Sequence, residues 1–105
     1  MHLMTRMQRI RAKRNARHRK RLDAAAQTVR DIAKQHGLDV GFFGSYARGS
    51  TGPRSDLDIL VLGRESSNDT RAFMRDVERT FVDRNLDMDI VFEKDMDRRP
   101  MDVVR

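Results

Sequence analysis

Asp56 and Asp58 stand two residues apart at the head of the apolar string Leu57 to Leu62. On an extended strand, residues i and i+2 leave the same face about 6.5 to 7 Å apart, at a rise of about 3.3 Å per residue. Both carboxylates then reach one hard cation. Mg²⁺ takes oxygen ligands at about 2.0 to 2.1 Å and is typically held by a carboxylate or two together with substrate phosphates. A third acid from a neighbouring strand would complete a two-metal site with ions about 3.5 to 4 Å apart, one activating the attacking oxygen and one neutralising a leaving pyrophosphate. By itself, Asp-x-Asp suits an exposed strand edge better than a metal site, so its context decides.

That context begins upstream of Asp56 with Gly44 and Ser45, which follow the short β-prone run Val40 to Phe43. A Gly-Ser turn between a strand and a helix N-terminus is phosphate-binding chemistry, because backbone N–H groups and the positive helix end attract anions. Gly44 permits close backbone approach, the Ser45 hydroxyl can donate to a phosphate oxygen, and Arg48 offers a cation one turn on. Ser55 either orients the Asp56 carboxylate or is a turn residue. Tyr46 either stacks on a base or packs, and Arg64 either meets a phosphate or is solvated. His2, His18 and His36 show no metal-ligand spacing.

The elements that must position these groups are legible from periodicity. Leu22, Ala25, Ala26, Val29, Ile32 and Ala33 recur at helical spacing, and Gly37 suits the end of that helix. Val40 to Phe43 reads as a strand, Ser45 as the cap of a short helix over Tyr46 to Arg48, and Gly49 to Ser55 as an exposed loop. Leu57 to Leu62 reads as a second strand, with Leu57, Ile59 and Val61 on one face and Asp56, Asp58, Leu60 and Leu62 on the other. Ser66, Ser67, Asn68 and Asp69 supply cap chemistry for a helix from about Thr70 to Arg84, ended near Asn85. Leu86 to Phe92 alternates as a half-buried strand with Asp87, Asp89 and Val91 on one face. Residues 94–105 read as a tail or a partner-dependent element.

The chain has 105 residues, no cysteine, and 22 Lys and Arg against 16 Asp and Glu. Disulfides and thiolate sites are excluded, and the length suits one core. No apolar run is long enough to cross a bilayer and none follows the basic N-terminus as in a signal peptide, so a cytoplasmic protein without a membrane partner is expected. Residues 1–21 hold nine of the bases and no acid, leaving thirteen bases against sixteen acids in the remainder. The basic character therefore belongs to an N-terminal arm, rich in helix formers and able to continue straight into the first helix. RNA phosphates, an acidic partner and plain solvation are its three readings, and with no aromatic before Lys34 any RNA contact is electrostatic. The division expected is a basic arm, 1–21, a domain, 22–93, and a tail, 94–105.

The full string Gly-Ser-Tyr-Ala-Arg-Gly-Ser-Thr-Gly-Pro-Arg-Ser-Asp-Leu-Asp-Ile-Leu-Val-Leu, residues 44 to 62, resembles the signature of the DNA polymerase β-like nucleotidyltransferase superfamily. Its short length is similar to the minimal nucleotidyltransferases, and the likeness spans about residues 22 to 93. This resemblance implies an α/β (α+β) domain, a small mixed β-sheet flanked by helices in the polymerase β-like palm arrangement. It also implies a third metal-binding aspartate on a later strand, matched by Asp89, with Asp87 its competitor on the same face. The implied site is thus Asp56, Asp58 and Asp89 as catalytic carboxylates holding two Mg²⁺, with Gly44, Ser45, Arg48 and Ser55 around the nucleotide.

Minimal nucleotidyltransferases commonly accompany a HEPN-domain ribonuclease toxin, and act as its antitoxin by moving AMP from ATP to a toxin tyrosine. The resemblance carries that activity and partner here as an expectation. Transfer to an RNA end, helped by the basic arm, is the alternative, and non-catalytic neutralisation by binding is a third. So small a sheet would also gain buried apolar area as a homo-oligomer.

Overall fold

The computed structural model describes residues 5–63 and 68–105. Its first element, α1, is a single helix from Arg6 to Gln35. The Thr5 hydroxyl accepts from the Gln8 N–H at 3.1 Å, and the Gln8 carboxamide accepts from the Thr5 N–H at 2.8 Å. This reciprocal box satisfies two donors that a helix start leaves orphaned. The basic arm and the amphipathic segment are therefore one rod, about 45 Å long at 1.5 Å per residue, within a molecule whose long dimension is 53 Å. Gly37 follows the helix at φ +67°, the left-handed geometry that closes helices.

Strand β1 spans Val40–Phe43, helix α2 Gly44–Arg48, and strand β2 Leu57–Val61. Helix α3 spans Asn68–Phe81, strand β3 Met88–Phe92, and a 3₁₀ turn follows at Glu93–Asp95. The sheet order is β1-β2-β3, antiparallel between β1 and β2 and parallel between β2 and β3. This is the small mixed sheet flanked by helices that the family resemblance implies. Val40, Phe42, Leu57, Ile59 and Val61 join Leu22, Ala26 and Val29 of α1 and Phe73, Val77 and Phe81 of α3 in one core. Phe42 and Phe73 are fully buried, and truncating either to Ala costs about 3 to 5 kcal/mol. His36 Nε2 meets the Asp76 carboxylate at 2.6 Å, tying the end of α1 to α3.

Several sequence expectations are corrected. Ser45 does not cap α2: the helix begins at Gly44, and Phe43 stands at the cap position with no side-chain bond. Gly44 takes φ +73°, so the chain turns from β1 directly into the helix. The third helix stops at Phe81, not Arg84, and the third strand begins at Met88, although the Asp87 carbonyl already accepts from the Leu57 N–H at 3.1 Å. The expected caps Ser66 and Ser67, and Arg64, lie outside the described residues. Leu60 lies on the same face as Asp58, as expected, and is fully buried there.

The C-terminal segment, read from sequence as a tail or a partner-dependent element, returns to the sheet. Phe42 and Val104 exchange both backbone hydrogen bonds, at 2.6 and 2.8 Å, adding an antiparallel bridge outside β1. A Cβ on Gly41 would lie 2.6 Å from Val103 Cγ1, so Val103 presses on the sheet face that Gly41 shares with its register partner Leu60. Helices thus cover one face and the C-terminal segment part of the other. Among the described residues no helix is long and apolar enough to cross a membrane.

Candidate functional site

Alternation along β2 buries Leu57, Ile59 and Val61 under the helices and turns Asp58 to the opposite face. In the parallel register Asp58 pairs with Asp89, so both carboxylates leave one face from neighbouring strands. Asp56 sits exposed just before β2. The Asp58 carboxyl is pushed above the usual carboxylate range, first by burial, then by the negative charges of Asp89 and Asp56. Arg48 opposes that shift, and Asp102 adds to it. Three sequence-predicted acids are therefore electrostatic neighbours. Among the described residues no group of three or more His, Cys, Asp or Glu side chains is gathered closely enough to cage a metal ion.

Gly44 is the other half of the geometry. A Cβ there would come within 2.2 Å of Asp58 Oδ2, which means the α2 backbone lies directly against the carboxylate. Only glycine allows both that contact and a φ of +73°. The first turn of α2 and the acidic face of the sheet thus form one surface. Ser45, half-buried in that turn, has its carbonyl engaged by the Ser50 N–H at 3.0 Å, while its hydroxyl has no partner among the described residues. Arg48, at the other end of α2, pairs with Asp102 at 2.9 Å.

Other candidate residues take structural duties. The Tyr46 ring is buried, edge-on to Phe42 at a centroid distance of 5.9 Å, and carries the Arg19 guanidinium at 4.4 Å. Its hydroxyl donates to Asp23 at 2.6 Å; burial first, then that bond, raises its pKa. No face of the ring is left for a base. The Ser55 hydroxyl accepts from the Gly52 N–H at 2.7 Å and closes the loop. Its carbonyl lies 2.8 Å from His18 Nε2.

His18 was invisible to ligand-spacing arguments, yet it is buried and anchors the loop that ends at Asp56. The available signal was its place four residues before Leu22, on the same helix stripe. Beside it opens a cleft of about 240 Å³ lined by His18, Arg21, Arg54, Ser55, Asp56 and Asp87, among others. It sits at the N-terminal ends of the two parallel strands. Asp102, beside Arg48, gave no sequence signal, because only the path of the C-terminal segment brings it there.

No curated protein and no solved structure matches the chain. The nucleotidyltransferase domain family matches residues 22–104, a stretch holding the Gly-Ser turn, the three sequence-predicted aspartates and the C-terminal bridge. The chain belongs to the nucleotidyltransferase domain family.

Proposed function

We propose that this chain moves a nucleoside monophosphate, AMP from ATP, onto a hydroxyl acceptor, with Asp56, Asp58 and Asp89 as the catalytic carboxylates. The observation that carries the reading is the contact between the Gly44 backbone and the Asp58 carboxylate, with Asp89 alongside. It joins a phosphate-binding turn to an acidic face. Three oxygen-donor side chains with no nitrogen or sulfur ligand among them fit a hard cation such as Mg²⁺, and the raised Asp58 pKa marks a place where added positive charge is favourable. Bound there, two such ions would supply charge neutralisation of the phosphates and activation of the attacking oxygen.

The protein's own residues then have definite duties. Gly44 leaves room for a phosphate to approach the backbone, and the Ser45 hydroxyl donates to a phosphate oxygen. Ser55 holds the loop that delivers Asp56. Arg48 offers its charge to a phosphate once it is released from Asp102. Positioning and electrostatics account for the chemistry of such transfers.

The acceptor assigned by the family resemblance is a tyrosine of a HEPN-type ribonuclease, which would make this chain an antitoxin. An RNA end is the second reading, favoured by Arg21 of α1 and Arg54 of the loop, which line the cleft beside Asp56. Incubation with labelled ATP, Mg²⁺, the neighbouring gene's product and RNA side by side tests both. Label on either acceptor, lost in Asp58→Asn, supports the transfer reading; label on neither, with folded protein, defeats it.

A further inference from the structure

Arg6, Arg9, Lys13, Arg17 and Lys20 follow one another at intervals of three, four, four and three residues along α1. At about 100° per residue they fall within an arc of about 80°, on the side opposite His18, Leu22 and Ala25, which are buried. All five are exposed, and none is ion-paired among the described residues. The stripe runs about 21 Å, the span of about six nucleotides at 3.4 Å per strand step. Arg14 and Arg21 lie on the flank between this stripe and the buried face, and Arg21 lines the cleft that holds Asp56.

We propose that this stripe binds the phosphodiester backbone of a nucleic-acid strand and leads its end past Arg21 and Arg54 into the cleft. Regularly spaced cations with no acid before Asp23 suit a polymer of regular negative charge. The absence of aromatic residues along the stripe means that the contact is with phosphates, not stacked bases. A strand's terminal hydroxyl is neutral, so it can enter beside Asp56 and Asp87 while the phosphates behind it stay on the cations. Delivery of that end rests on the nucleotidyl-transfer reading; the binding surface does not.

Binding is therefore measured first, with the full chain and without nucleotide or metal, using labelled 20-nucleotide RNA and DNA strands over a range of salt. Five contacted phosphates give a slope of log affinity against log salt of about −3.5, falling to about −1.4 when three are lost. The variant R9Q/K13Q/R17Q should show that fall and bind at least about tenfold more weakly at low salt. The equal-charge control R71Q/R75Q/R79Q, on exposed positions of α3, should keep the parent slope. Equal weakening by both variants would reduce the effect to net charge and overturn the stripe. Polyglutamate of the same length displacing the strand at equal charge concentration would make the partner an acidic polypeptide and overturn the nucleic-acid assignment. RNA and DNA arms separate the two sources of the backbone.

Delivery is tested by Pro53→Cys, a unique thiol in a chain without cysteine, carrying a photocrosslinker at the cleft. Crosslinks confined to the strand's terminal nucleotides support delivery, and interior crosslinks overturn it. Loss of transfer in Asp56→Asn with strand binding intact would separate failure of the chemistry from failure of the surface.

Discussion

Asp58 on β2 stands directly opposite Asp89 on the parallel strand β3, on the sheet face turned away from the core helices. The Asp89 charge helps raise the Asp58 pKa, whereas Asp87 sits two positions back and lines the cleft. Asp58→Asn and Asp89→Ala should each lower nucleotide transfer by more than about 100-fold, the upper end of losses for residues that only support a metal ligand. Asp87→Ala should retain transfer within about tenfold. Kinetics under saturating Mg-ATP check the ranking, and its reversal would move the third ligand to Asp87.

The Gly44 contact predicts a contrast between two glycines with the same φ. Gly44→Ala places a methyl against the Asp58 carboxylate, whereas Gly49→Ala, at φ +72°, meets nothing within 4 Å. Both carry left-handed strain of about 1 to 2 kcal/mol. Only Gly44→Ala should also lose nucleotide affinity, because the carboxylate has to move. Chemical denaturation and calorimetric titration with ATP separate the two effects.

Asp58 gives a pH dependence whose sign is fixed by its cause. Its pKa is raised in the folded protein by burial and by Asp89 and Asp56, so the native state binds that proton more tightly than the unfolded chain. The ionised form is therefore a burden on stability that appears as pH rises above the ordinary carboxylate value of 3.8. Asp58→Asn should melt higher than the parent at neutral pH in the absence of metal, and the difference should vanish below that value. A melt series across pH that shows the parent more stable throughout would refute the account.

Tyr46 separates packing from base stacking. Tyr46→Phe keeps the ring against Phe42 and under Arg19 but removes the bond to Asp23, which should cost about 1 kcal/mol of stability. ATP affinity should be unchanged. A loss of affinity without loss of stability would place the ring at the base.

The C-terminal segment supplies the fourth structural test. Removing residues 102–105 takes away two backbone hydrogen bonds to Phe42, the Val103 cover on Gly41 and the Arg48 partner Asp102. At about 1 kcal/mol per bond plus the lost apolar cover, stability should fall by about 2 to 3 kcal/mol in urea. Freed from Asp102, Arg48 should still be competent to meet phosphate, so ATP binding should survive at temperatures where the truncated chain is folded.

Sequence alone determined those features that depend on neighbours in the chain. Strand alternation put Asp58 on the face opposite Leu57 and Ile59, Gly37 marked the end of α1, and the helical stripe from Leu22 to Ala33 identified the core face of α1. These follow from backbone geometry, which acts over a few residues. Tertiary structure decided what depends on a distant partner: Gly41 is covered because Val103 crosses the second face, and Arg48 is paired because Asp102 comes back to it. His18 belongs to the body because the Ser55 carbonyl meets it from 37 positions away. Asp89 differs from Asp87 only through the register of β3 on β2, which shared periodicity cannot distinguish. Such pairings are selected by the whole core closing at once, and no local pattern carries them.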